Sequence, residues 1–98
     1  SPVISVAIAN PQGFGIRQNY PNPFNPETQV SFTLPVSAHI TMRVYDTLGQ
    51  MVRELINGTT PAGVHTVTFD GSSLPGGAYF CKLETAGYTG TIKMMLLK

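Results

Sequence analysis

The run Asn19-Tyr20-Pro21-Asn22-Pro23-Phe24-Asn25-Pro26 limits what this chain can become more than any other stretch. Pro21, Pro23 and Pro26 fix φ near about −65° and remove three backbone donors. Each residue before a proline is pushed out of the helical region. The run is therefore a stiff, extended, turn-punctuated approach to Thr28. Within it, Phe24 is expected to anchor to the core edge, and Asn22 and Asn25 to cap free backbone groups.

Downstream, the hydrophobic period is two. Residues 28–34 alternate, with Val30, Phe32 and Leu34 on one face, and Pro35 ends the segment. Residues 39–45 place Ile40, Met42 and Val44 inward, and Asp46 to Gly49 turn the chain, Gly49 being free to take φ > 0. Residues 50–56 return less regularly, as a strand or a short helical turn. Asn57-Gly58 and Pro61-Ala62-Gly63 carry turn signals. Residues 64–69 put Val67 and Phe69 inward. After the loop Asp70–Gly77, residues 78–84 place Tyr79, Cys81 and Leu83 on one face. Residues 89–97 form the last strand, with Ile92, Met94 and Leu96 on one face. Short strands at about this spacing predict an all-β, immunoglobulin-like antiparallel β-sandwich of about seven strands. Residues 1–18 are expected to be a linker from an upstream domain, with one edge strand at 3–9, and 19–98 the sandwich. The start Ser1-Pro2 reads as a fragment or processed piece, and no signal-peptide pattern is visible.

Only 11% of the residues are charged, less than half the usual share of about 25%. Solubility must rest on Thr, Ser, Asn and Gln, a surface common in extracellular β modules. The net charge of +1 leaves no basic stripe for nucleic acid. No apolar run approaches the roughly 20 residues of a membrane helix. The single cysteine, Cys81, excludes an intrachain disulfide; its alternation with Tyr79 and Leu83 makes it a small core residue, not a nucleophile. His39 and His65 stand alone on strands, and Asp70-Gly71 lacks the further acids of a calcium loop. The glycines of Gly13-Phe14-Gly15 and Pro75-Gly76-Gly77 are not followed by helices, so they cradle no phosphate. No catalytic set, cofactor or metal site is predicted.

Gly77-Ala78-Tyr79-Phe80-Cys81 resembles the start of an immunoglobulin strand F, where the tyrosine hydroxyl bonds back to the corner backbone. The core tryptophan and partner cysteine of antibody domains are absent. Six motifs in order carry a wider resemblance: 19–28, Val44-Tyr45-Asp46-Thr47-Leu48-Gly49-Gln50, Pro61-Ala62-Gly63-Val64-His65, Phe69-Asp70-Gly71, Leu74-Pro75-Gly76-Gly77-Ala78-Tyr79, and 90–98. Together they make residues 18–98 resemble the C-terminal sorting domain (type A) of the type IX secretion system of Bacteroidetes-like bacteria. The family often has Trp where Phe69 stands. The flagellar hook-capping protein shares the proline run and the sandwich, but this chain stops at Lys98 directly after the last strand, as sorting domains do.

The resemblance implies a non-catalytic signal that directs an N-terminally fused cargo to the outer-membrane translocon, with a sortase-like surface peptidase cutting in the linker. It also points to Lys93, Met95, Leu97 and Lys98 as recognition residues, acting beside an edge strand open to a receptor strand. The alternative for the two lysines is edge charge that blocks aggregation. Asn19 to Pro26, Gly49, Asp70, Gly71, Gly77 and Tyr79 are the structural motif positions. The low-charge edge also leaves room for a weak dimer. The competing function is an accessory module, structural or carbohydrate-binding through Tyr20, Phe24, Tyr45, Phe80 and Tyr88.

Overall fold

The computed structural model describes residues 13–98. Seven strands form: β1 (Gly15–Ile16), β2 (Glu27–Leu34), β3 (Ala38–Tyr45), β4 (Met51–Thr60), β5 (Gly63–Asp70), β6 (Gly77–Thr85) and β7 (Tyr88–Leu96). They make two antiparallel sheets, ordered β1-β2-β5 and β4-β3-β6-β7. The chain is an all-β sandwich, as the two-residue period predicts. Unlike a constant-type immunoglobulin domain, whose fourth strand joins the first sheet, β4 pairs with β3.

Alternation builds the core directly, since successive strand residues face opposite sides of a sheet. Val30, Phe32 and Leu34 on β2 and Phe69 on β5 meet Ile40, Met42 and Val44 on β3, Cys81 and Leu83 on β6, and Met94 and Leu96 on β7, all buried. Each large apolar side chain taken fully out of water contributes about 1.5–3 kcal/mol, set against chain entropy of similar total size. Val67 and Ile92, also expected inside, are half-buried at the margin. The Tyr79 hydroxyl donates to the Pro75 carbonyl at 2.6 Å, the corner bond its position predicts.

Three local expectations change. Asn57-Gly58 does not turn; it continues β4, opposite Thr41 and Ile40. β3 is long enough to pair through it, and the reversal falls at Pro61-Ala62. The helical alternative for 50–56 gives way to strand. Register shifts between Met42 and Arg43 and between Val44 and Tyr45 explain why its period looked blurred. Finally, the strand expected at 3–9 lies outside the described residues, while 13–18, expected as linker, lie on the sandwich. Gly15 and Ile16 pair with Thr33 and Phe32, and Phe14 stacks on Tyr88 with ring centroids 5.5 Å apart. Two apolar side chains there close the gap between β2 and β7.

Burial alone pushes the Cys81 thiol up to about 12. At mild alkaline pH the folded protein should therefore resist thiol reagents, with modification tracking global unfolding in urea. Fast labelling of the native state would overturn this placement.

Candidate functional site

One end of the sandwich gathers most of the motif positions around the last strand. The proline run reaches it as a strap. Asn19 is buried; its Nδ2 donates to Thr28 Oγ1 at 3.0 Å and to the Pro21 carbonyl at 3.1 Å. Thr28 Oγ1 donates to the same carbonyl at 2.8 Å. These bonds satisfy a buried amide that would otherwise be costly and set the curl of a run whose Pro21, Pro23 and Pro26 follow cis peptide bonds. Tyr20 exchanges two backbone bonds with Gln29 of β2, and its ring is 81% exposed.

The strap then crosses to the other sheet. Gln18 Nε2 donates to the Lys93 carbonyl at 2.7 Å. Met95 N–H donates to Asn22 Oδ1 at 3.0 Å, so this side chain caps backbone as expected. Phe24 N–H donates to the Met95 carbonyl at 2.9 Å, and Leu97 N–H to the Phe24 carbonyl at 2.8 Å. The Phe24 ring, 1% exposed, meets Phe69 edge-to-face at 5.8 Å. Asn25 is exposed, and its side chain makes no hydrogen bond among the described residues. The open edge expected for the last strand is thus taken between 93 and 97. A proline cannot donate to a ladder, but between the prolines Phe24 N–H donates to it and Asn22 Oδ1 accepts from it.

A third segment locks the corner. Gly71 N–H donates to the Pro26 carbonyl at 2.8 Å, and Lys98 Nζ to the Ser72 carbonyl at 2.6 Å. A Cβ on Gly71 would stand 2.9 Å from Leu96 Cδ2, so a larger residue there would force the buried Leu96 side chain to shift. Asp70 Oδ1 accepts from Ser72 N–H at 2.9 Å. Hydrogen bonds from Ser72, with Arg53 and Lys98 nearby, hold the Asp70 carboxyl below its ordinary value. Arg53 donates to the Asp70 carbonyl and covers the Phe69 ring at 5.5 Å. Gly77, at φ +142°, opens β6 at the same corner. The Asp46–Gly49 turn, with Gly49 at φ +82°, is closed by Leu48 and Gln50 amides donating to Asp46 Oδ1. Asp46 and Thr47 share a hollow with Leu74–Tyr79. Pro61–His65 stands at the opposite end, where Gly63 pairs with Leu34.

The four recognition candidates share this corner. Lys93 and Lys98 are exposed, Met95 is half-buried and Leu97 is 52% exposed. The five candidate platform aromatics do not share a plane: Phe24 is core and Tyr88 lies under Phe14, while Tyr45 and Phe80 pair on the outer face of β3 and β6 above a shallow hollow of about 470 Å³. The His65 ring stacks on Phe32 at 5.2 Å and bonds the Pro61 carbonyl at 2.7 Å. Among the described residues no cluster of His, Cys, Asp and Glu has the makings of a metal site.

A family model described as "secretion system C-terminal sorting domain" matches residues 18–97. No curated protein matches the chain.

Two measurements probe the corner. Gly71→Ala should destabilise by about 1–3 kcal/mol through overpacking against Leu96, whereas Gly58→Ala, with open space around it, should change stability by less than about 0.5 kcal/mol; urea midpoints compare them. Because folding depresses the Asp70 pKa, its stabilisation is complete above the unfolded value and is lost as pH falls through the folded one. Asp70→Asn should therefore lose less of its urea midpoint than the parent between about pH 5 and pH 2. An equal loss would move the acid sensitivity elsewhere, Glu54 beside Arg43 being the other depressed carboxylate.

Proposed function

This chain belongs to the secretion system C-terminal sorting domain family, the type IX export signals, and from that premise we propose that it steers an N-terminally fused cargo through the outer-membrane translocon. The family implies export to the cell surface or the medium, and its members sort without catalysing. The observation that carries the reading in this chain is the corner itself. Motifs at 19–28, 69–71 and 74–79 converge on residues 93–98 and are adjacent to them in the fold, and the motif at 44–50 joins the same end through its hollow with 74–79. A corner held by so many bonds suits a signal read as a folded surface.

Lys93, Met95, Leu97 and Lys98 are the residues we assign to contact the translocon. A sortase-like peptidase then cuts upstream of Gly13, because residues from Gly15 onward are tied into the sheets. Release and attachment to a surface lipopolysaccharide are the two fates of the freed cargo. β4 has the open edge of the larger sheet, so the weak dimer expected from a low-charge edge belongs there.

Residues 1–98 fused behind a periplasm-targeted fluorescent protein should carry it to the surface or medium of a type IX-competent host. Periplasmic retention with the domain intact would overturn the reading. Truncation of the last residues is a poor probe, because Leu96 is core. Changing Lys93, Met95, Leu97 and Lys98 to serine instead should lower export roughly tenfold, the effect of about 1.4 kcal/mol of lost contact, with the urea midpoint of the domain nearly retained.

A further inference from the structure

We propose that the surface read during export extends beyond residues 93–98 onto the outer face of the β4-β3-β6-β7 sheet, and that at residues 93–97 its contact is made by side chains, not by strand addition to β7. The proposal rests on the sorting function above.

The edge of β7 argues against strand addition. Its outward groups at Lys93 O, Met95 N, Met95 O and Leu97 N are all bonded to Gln18, Asn22 and Phe24. A receptor strand could pair there only after breaking these four bonds and drawing the buried Phe24 ring away from Phe69. With the strap docked, what this stretch of β7 offers a receptor is the set of side chains pointing off the sheet.

Those side chains divide the face in two. Strand register sets Met51, Tyr45, Phe80 and Lys93 in one row across all four strands. Met95, opposite Ala78, and Leu97 continue it toward the corner. Beyond it the charges are paired: Arg43 with Glu54 at 2.8 Å in the next row, and Lys82 of that row with Glu84 of the one after at 3.7 Å. Lys93 has no ion-pair partner among the described residues. The motif end of the face therefore presents an apolar row with an unneutralised cation, and the far end presents satisfied ion pairs that bind little. Met51 is 54% exposed, so this end is not core. A fitting partner is a folded receptor with an apolar patch flanked by a carboxylate, since charge and apolar surface must both be matched.

The reporter fused to residues 1–98 tests this in three variants, each checked for folding by its urea midpoint. Phe80→Glu should lower export roughly tenfold or more, and Lys93→Glu likewise, because each places a carboxylate against the partner's acidic, apolar site. Thr89→Glu, on the same face at the other end, should stay within about twofold of the parent. If Phe80→Glu unfolds the domain, Met51→Glu at the exposed edge takes its place. A parent that is never exported defeats the sorting function itself. A parent that is exported, with folded Phe80→Glu or Met51→Glu exported equally well, overturns the extended surface alone. Equal losses from Thr89→Glu overturn it too, by showing sensitivity to charge anywhere on the face.

Discussion

Two backbone hydrogen bonds between Phe24 and β7, with the Phe24 ring buried behind them, hold this domain's two ends together. The rest of the corner depends on that docking. Once Phe24 is seated, Asn22 meets Met95, Gln18 meets Lys93, and Pro26 offers its carbonyl to Gly71. The same strap bonds to β2 through Tyr20. It therefore ties the smaller sheet to the edge of the larger one, where a sandwich would otherwise leave β7 open. Closing an edge in this way is a standard defence against unwanted strand pairing.

The consequence for recognition is geometric. A strand whose edge is occupied from within the domain presents its side chains in a fixed frame. Lys93 and Met95 alternate outward while Met94 and Leu96 fill the core. Residues just past a last strand fray in most proteins. Here Lys98 is held by Ser72, and Leu97 by Phe24.

Much of this was legible in the chain. β2, β3, β6 and β7 were readable because each buries one face, and a period of two leaves little choice of orientation. Tyr79 announced its corner bond through its position at the start of β6. β4 was harder to read, because bulges within it, at Leu55 and Val52, scramble the alternation, and because Asn57-Gly58 turns a chain only where no neighbouring strand claims it. The convergence of the corner was partly legible. An isolated Phe24 among prolines and asparagines has no strand of its own to pack on, which marks it as an anchor. Its partner could not be named, since the bonds to β7 join residues some 73 positions apart.

Residue order by itself determined the strands, the buried set and the rigidity of the proline run, because these follow from local dihedral limits and from alternation along a single segment. Tertiary structure alone decided that the run lies on the last strand, that the edge of β7 is closed between 93 and 97, and that Met51, Tyr45, Phe80 and Lys93 share a row. Those outcomes rest on register between segments distant in sequence. Register is set by how both faces of the core fill together, and no local window of the chain contains that information.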